Sequence, residues 1–267
     1  AVLVAARRAG VDTIFKIGGA QAIAAMAYGT ASLNRVSKIF GPGNAWVTEA
    51  KSQVDGDPAG AAIDLPAGPS EVLVIADENA RPEFVASDLL SQAEHGRDSQ
   101  VLLVTTSMEI AERVRDEVGA QLKGLSRADI AKEAIDNSLA IVTGSLDSAV
   151  EISNRYAPEH LIIQTIQPRQ LLANVRNAGS VFLGCWSPES VGDYCSGTNH
   201  VLPTYGHARS YSGLSVDQFT RQMTVQELSA DGLGRIGAAV VELAGLEGLD
   251  AHSAAVTRRL AAIEAGE

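Results

Sequence analysis

Cysteine is scarce in this sequence, as are aromatic side chains, basic residues and long apolar runs. Only two of the 267 residues are cysteine, so we expect no disulfide framework and a reducing, cytoplasmic location. The longest apolar strings, EVLVIA and HLIIQT, have the length of a strand and are too short to span a bilayer. Lys and Arg total 21 against 32 Asp and Glu, and no basic block is present, which argues against nucleic acid or an anionic membrane as partner.

What the sequence does contain is an alternation of strand-like and helix-like segments. Strand candidates that are apolar on both faces, with helices between them, predict parallel sheets and an α/β fold class. We expect Asn44 to cap one of these helices, Pro82 to begin another and Gly96 to end it. The strand candidates are TIFKIGG, SKIFGPG, SEVLVIAD, SQVLLVTT, LAIVTGS, HLIIQT and GSVFLG.

Two segments interrupt this alternation. Residues 55–71 are rich in Gly and Pro, which indicates a domain boundary, and residues 184–213 form an unusually long loop, which favours a functional role. After Leu214 the pattern is helical to the end. The first residues lack a Met and resemble the second half of an amphipathic helix ending at Gly10, so we expect the chain to begin in the middle of a domain.

Two histidines lie in sequence contexts that suit chemistry. In SQAEHG, Gln92 and His95 are three residues apart and share a helix face, so they could form half of a metal site; a helix-end histidine that interacts with nearby carbonyls is the alternative. In APEHL, Glu159 and His160 stand at the start of an apolar strand, where they suit acid–base chemistry or form a polar turn.

The long loop contains a further group of polar residues. Asp193 could be a metal carboxylate and His200 a substrate contact, whereas Asx turns and caps would explain the same residues, with Glu189 and Asn199 beside them. Cys185 and Cys195 have no base or CxxC partner, and we interpret them as structural or incidental, not as nucleophiles or zinc ligands. The glycine turns before AQAIAAM and NAW favour phosphate or dinucleotide binding only weakly, since neither completes G-x-G-x-x-G.

Taken together, these strings resemble the histidinol dehydrogenase family. The matching segments run in family order from Ile39 nearly to the C-terminus: FGPGNAWVTEAK, IDLPAGPSEVLVIAD, DLLSQAEHG, NRYAPEHL, AGSVFLG, SPESVGDYCSGTNHVLPTYG, FTRQMTVQELS and GLDAHSAAV. The resemblance implies oxidation of L-histidinol to L-histidine by two hydride transfers to NAD, with one zinc per subunit. It also implies Rossmann-like parallel-sheet domains, the first incomplete, and a C-terminal helical dimerisation arm.

The resemblance implies the following roles, residue by residue. Zinc would be held by Gln92, His95, Asp193 and His252, the last from the other subunit of a homodimer. Proton transfer would belong to Glu159 and His160. Substrate would also contact Ser70, His200 and Glu247, with Glu247 again donated across the dimer, and NAD would contact Gln21 and Asn44.

The same resemblance divides the chain into three parts. Residues 1–66 would be the remainder of an NAD-binding domain, 67–210 a zinc- and substrate-binding domain, and 211–267 the helical arm. Because the family is longer at its N-terminus, we expect this chain to be a C-terminal part with little or no dehydrogenase activity by itself. A non-catalytic zinc- and histidinol-binding fragment is the alternative, while a zinc hydrolase is disfavoured because no HExxH-like string is present.

Overall fold

A computed structural model describes residues 1–266, which fall into two compact units. The first unit spans Ala1–Phe219, and the second begins at Thr220. This division does not test the predicted boundary between residues 66 and 67, which stays a prediction. Within the described residues, no helix is both long and apolar enough to cross a membrane.

Helices and strands alternate along most of the first unit. The strands are β1 (Lys38–Ile39), β2 (Ala62–Ile63), β3 (Glu71–Ala76), β4 (Gln100–Thr105), β5 (Leu139–Val142), β6 (His160–Gln164) and β7 (Ser180–Leu183). The helices are α1 (Val2–Arg8), α2 (Ala20–Tyr28), α3 (Ala45–Gly56), α4 (Pro82–Ala93), α5 (Met108–Gln121), α6 (Ala128–Asp136), α7 (Leu146–Tyr156), α8 (Pro168–Leu172), α9 (Glu189–Tyr194), α10 (Ala230–Leu246) and α11 (Asp250–Glu264).

A five-stranded parallel sheet forms the centre of the first unit, in the order β5-β4-β3-β6-β7. Successive side chains of β3 point to opposite faces, so Val72 and Val74 pack with apolar residues of α4, α5 and α6, while Leu73 and Ile75 pack with α7 and α8. Both faces of the sheet are thus covered by helices. The predicted α/β class with parallel sheets is confirmed.

A second, two-stranded parallel sheet joins β1 and β2 and packs against α2 and α3. The turn after β1 is anchored by Lys51, whose buried Nζ donates to the carbonyl of Gly41 at 2.8 Å and pairs with Asp64 at 2.5 Å. The predicted cap is present, because Asn44 Oδ1 accepts a hydrogen bond from the Val47 amide. This turn therefore has a fixed shape where it leads into α3.

Four sequence-based expectations about secondary structure are wrong. TIFKIGG is not a strand, because no described segment pairs with it, and Ile14 and Phe15 are exposed. The long loop at 184–213 contains α9, and the chain after Leu214 stays irregular apart from one short 3₁₀ turn until α10 begins at Ala230. Gly96 does not end its helix, since α4 already ends at Ala93.

The second unit contains a pair of helices, α10 and α11. Gly237 allows them to approach closely, since a Cβ at this position would lie 2.8 Å from a methyl group of Leu260. Ser229 caps α10 by accepting a hydrogen bond from the amide of Gly232. A helical C-terminal arm, as predicted, is consistent with this unit.

Candidate metal and substrate site

The candidate site lies at the amino edge of the five-stranded sheet. His160 is the first residue of β6, Glu71 is the first residue of β3, and the register pairs His160 with Ser180 at the start of β7. Sites in open parallel sheets usually lie at the carboxyl edge of the strands, where helices begin. At the amino edge helices arrive with their carboxyl ends, so carbonyl groups face the site in place of amides.

Three helices end near this edge, and two of them carry candidate site residues in their last turns. Gln92 lies in the last turn of α4, Asp193 in the last turn of α9, and α7 ends just before Glu159. Gly192 permits this approach of α9, because a Cβ there would lie 2.7 Å from the ring of Phe182 on β7. The negative ends of helix dipoles favour cations. The local backbone is therefore polarised for a cationic ligand.

One cavity of about 160 Å³ brings together most of the residues that the sequence analysis singled out. Its wall also includes Pro42, from the turn after β1. The predicted residues that line this cavity are Ser70, Gln92, His95, Glu159, His160, Asp193 and His200. They come from segments separated by up to 130 residues, so their convergence is a property of the tertiary fold.

The His160 imidazole is buried, 3 % exposed, and held by the protein on one side. Its Nδ1 lies 3.0 Å from the carbonyl oxygen of Glu71 and 2.8 Å from Nε2 of Gln92. A neutral imidazole nitrogen either donates or accepts, so Nδ1 satisfies only one of these contacts. When Nδ1–H donates to the Glu71 carbonyl, Nε2 is left free to accept a proton.

Burial lowers the pKa of His160 below its usual value, and the hydrogen bond to Glu71 opposes this effect. The imidazole is therefore neutral near pH 7 and able to act as a base. Burial also raises the pKa of the neighbouring Glu159 carboxyl well above its usual range, although the Glu71 amide donates to Glu159 Oε2 at 2.8 Å. An acid–base pair with pKa values shifted in opposite directions is typical of functional sites.

Several other buried carboxyl groups surround the cavity. Burial raises the pKa of both Asp88 and Glu189 to about 7, and raises that of Glu71 above its usual value. Within the part of the chain that the structure describes, no Lys or Arg nitrogen lies within 4.0 Å of these carboxylates or of Asp193. Buried negative charge without a cationic side chain nearby is costly, so this group of carboxylates favours the binding of a cation.

Two observations show how a metal ion could fit. Gln92 Oε1 is buried and has no hydrogen-bond partner among the described residues, as expected for an amide oxygen that lacks its ligand. Ligating atoms of His160, Glu189 and Asp193 lie within 4.8 Å of one another. Of this group only Asp193 belongs to the predicted ligand set; His95 lines the same cavity with an exposed side chain.

The remaining predicted residues are not in the cavity. His252 and Glu247 are exposed residues of the second unit, and Gln21 and Asn44 are exposed at the starts of α2 and α3. Cys185 and Cys195 are unpaired, as their interpretation requires. The roles of all these residues stay predictions.

Sequence reasoning gave no functional role to four polar side chains behind the cavity, which form two hydrogen-bonded pairs. Asp88 on α4 accepts a hydrogen bond from Gln164 at 2.6 Å, and Glu189 accepts one from Ser91 at 2.8 Å. A signal for Asp88 was available, because it lies four residues before Gln92 and extends the polar stripe of an otherwise apolar helix. The same spacing between Glu189 and Asp193 gave no signal, because Pro188 and Gly192 are typical of loops and α9 was therefore not predicted.

The fold and the cavity define a class: an α/β protein with a buried carboxyl and imidazole beside a candidate cation site. A sequence model of the family described as histidinol dehydrogenase matches residues 1–260. Histidinol dehydrogenase of Vibrio parahaemolyticus is 62 % identical over 259 residues, which are 97 % of this chain and 60 % of that protein. That of Photobacterium profundum is 60 % identical over 266 residues, with 100 % and 60 % covered.

A solved structure gives the same result. The crystal structure of histidinol dehydrogenase from Elizabethkingia anophelis superposes with a TM-score of 0.94 at 49 % identity, and covers 98 % of this chain and 60 % of that one. The chain belongs to the histidinol dehydrogenase family. It spans about 60 % of the length of the relatives it matches.

Proposed function

We propose that this chain carries the zinc- and substrate-binding machinery of a histidinol dehydrogenase, which oxidises L-histidinol to L-histidine with NAD in histidine biosynthesis. The observation that supports this most is the convergence of seven predicted residues on one cavity, next to buried carboxylates that have no Lys or Arg partner among the described residues. The proposed location is the cytoplasm, because the composition lacks a disulfide framework.

Zinc fits the residues that are present. The proposed ligands are Gln92, His95, Asp193 and, from the partner subunit of a homodimer, His252. Amide oxygen, imidazole and carboxylate are donors that zinc accepts, and the unpartnered Gln92 Oε1 supplies one of them. When bound, zinc would orient the imidazole and amine of histidinol and polarise its alcohol.

His160 is the proposed proton acceptor in both oxidations. In the first, Nε2 takes the alcohol proton while the carbinol carbon gives up its hydride, which leaves an aldehyde. In the second, Glu159 takes a proton from the water that adds to the aldehyde carbon, while His160 returns its proton to the aldehyde oxygen. His160 then takes a hydroxyl proton of the resulting hydrate as the carbon gives up a second hydride, which leaves the carboxylic acid. Burial suits both groups, since it keeps His160 neutral and makes Glu159 a stronger base.

Bound NAD would supply the hydride acceptor for both oxidations, and the turns that precede α2 and α3 would hold it. Gly19 has a φ of 78°, a conformation that favours glycine, and it begins α2 next to the proposed contact Gln21. Asn44 begins α3 and uses its side-chain oxygen for the cap, so its amide nitrogen is left for the dinucleotide. Helix N-termini attract phosphate groups.

We propose that Ser70 and His200 contact the substrate from the cavity wall, and that Glu247 does so from the partner subunit. A homodimer with exchanged arms predicts complementation. Mixing a His252→Ala variant with a His160→Asn variant should restore some turnover, because each mixed dimer has one site with both lesions and one with neither. No recovery after demonstrated subunit exchange would contradict the crossed arm.

A second candidate function follows from the length of the chain relative to its family. With about 60 % of the relatives' length, it could bind zinc and histidinol without turnover. The test is to supply histidinol, zinc and NAD to the purified chain, and to follow NADH absorbance alongside calorimetric binding of histidinol. Turnover of order 1–10³ s⁻¹ supports the dehydrogenase, and binding without turnover supports the second candidate. A chain that shows no turnover and no binding of histidinol would refute both candidates.

His95→Ala tests the proposed zinc ligand, and His207→Ala is its matched control. Because substrate and ion would share one site, this variant should lose zinc and histidinol binding together. His207, which lies outside the cavity lining, is the control position, and His207→Ala should keep both. Full zinc content in the His95 variant, measured by elemental analysis, would contradict the proposed ligand.

A further inference from the structure

Glu189 is the most deeply buried carboxylate around the cavity, and the proposed mechanism gives it no role. Its side chain is 1 % exposed and does not line the cavity, but lies behind His160 and Asp193. Oε1 accepts a hydrogen bond from the hydroxyl of Ser91 at 2.8 Å. Oε2 has no hydrogen-bond partner among the described residues and lies 3.9 Å from His160 Nε2. This oxygen is therefore directed at the site without being satisfied by the protein.

The position of Glu189 links the two helices that carry proposed zinc ligands. Ser91 directly precedes Gln92 on α4, and Glu189 lies one helical turn before Asp193 on α9. The Ser91–Glu189 hydrogen bond thus joins the last turn of α4 to the first turn of α9. Ser91 Oγ also lies 2.9 Å from the carbonyl oxygen of Asp88, and its single proton is shared between these two acceptors.

We propose that Glu189 is a positioning residue of the cation site, which ties the Gln92-bearing helix to the Asp193-bearing helix and directs a buried negative charge at the bound cation. The inference rests on the proposed zinc. Residues that orient metal ligands typically contribute 10- to 100-fold to metal affinity.

A role limited to folding would predict a different pattern. A buried carboxylate without a counter-ion destabilises the metal-free fold, so neutralising it should not weaken that fold. Glu189→Gln keeps an oxygen for Ser91 and removes the charge. A positioning residue then loses zinc affinity at unchanged or increased stability of the metal-free protein, whereas a purely structural residue loses both.

The experiment measures zinc affinity of the full chain by competition with a chromophoric chelator, zinc stoichiometry by elemental analysis, and the Tm of the metal-free protein. Glu189→Gln should raise the zinc Kd by about 10- to 100-fold, with unchanged stoichiometry and a Tm that does not fall. Ser91→Ala, which removes the tie but keeps the charge, should raise it by less than about 10-fold. Ser87→Ala, an exposed hydroxyl on the same helix, should have no effect.

Three results would overturn the inference. The first is an unchanged zinc Kd in Glu189→Gln, and the second is a rise of the zinc Kd together with a fall of the Tm, which indicates a folding role. The third is loss of stoichiometric zinc, which would make Glu189 a ligand. If Glu189→Gln does not fold, Ser91→Ala decides, and an unchanged Kd there rejects the tie. Absence of zinc binding in the unsubstituted chain would refute the zinc of the proposed function, and this inference with it.

Discussion

The amino edge of the five-stranded sheet and the turns that begin α2 and α3 have opposite backbone polarity. At the sheet edge α4, α7 and α9 end, so their carbonyl ends and a group of buried carboxylates face one cavity. At the turns α2 and α3 begin, after Gly19 and the Gly43–Asn44 pair. The first arrangement favours a cation and the second an anion. The charges of the proposed ligands differ in the same way, since the sheet edge would bind zinc and the turns would bind the phosphates of a dinucleotide.

The strongest test of this contrast changes the base at the sheet edge. His160→Asn should lower kcat for histidinol by roughly 10²–10⁴-fold, because the proton acceptor is lost, while zinc content and NAD binding change little. NADH formation, elemental analysis and NAD titration measure the three quantities. Turnover near that of the unsubstituted protein would contradict the assignment of His160.

Glu159→Gln tests the second residue proposed for proton transfer in the same cavity. The substitution keeps the shape and removes the base, so oxidation of histidinal should slow by about 10²-fold or more, and at least as much as oxidation of histidinol. Single-turnover assays with each substrate measure the two steps separately. A defect confined to the first step would reject the proposed role in activating water.

Substitution of Asn44 tests the proposed NAD contact at the start of α3. Asn44→Ala should raise the Kd for NAD by about tenfold without loss of zinc, as expected for one lost hydrogen bond in a polar contact. Asn44→Ser is the matched control, because serine keeps the cap of α3 but lacks the amide. If the serine variant binds NAD normally, Asn44 acts only as a cap and the predicted contact is wrong.

The smallest expected effect concerns stability and pH. Burial raises the pKa of Asp88 from 3.8 to about 7, so the native state binds this proton more tightly than the unfolded chain. Its stabilising contribution is present below about pH 4 and is lost as the pH rises to about 7. Asp88→Asn should therefore lose less stability than the unsubstituted protein between pH 5 and pH 8.

We expect a difference of about 1 kcal/mol, or roughly 2–4 °C in Tm, between the two proteins over this pH range. Gln164 still finds an oxygen at position 88, so its hydrogen bond is kept. The carboxyl groups of Glu71 and Glu159 titrate in both proteins and cancel in the comparison. The charge of Asp88 also raises the pKa of Glu189, so part of the difference comes from that coupled carboxyl. Parallel Tm profiles, measured by thermal unfolding, would show that Asp88 does not titrate as its burial implies.

Sequence patterns predicted the α/β class, six of the seven strands, including all five of the central sheet, and seven of the residues that line the cavity. Apolar runs such as EVLVIA fit only a strand buried on both faces, and Asn44 and Pro82 mark helix starts through local chemistry. Such signals need no knowledge of distant segments. TIFKIGG carries the same local signal but is not a strand, because a strand also needs a paired neighbour.

The position of the site at the amino edge of the sheet, and the contacts that hold its residues, follow from the tertiary structure alone. Parallel pairing of β3, β6 and β7 places His160 beside the end of α4, and the contact of Gly192 with Phe182 brings Asp193 to the same point. The unpartnered oxygen of Glu189 depends on all of these placements. Burial and hydrogen-bond satisfaction are properties of the packed chain, so no spacing of residue types in the sequence specifies them.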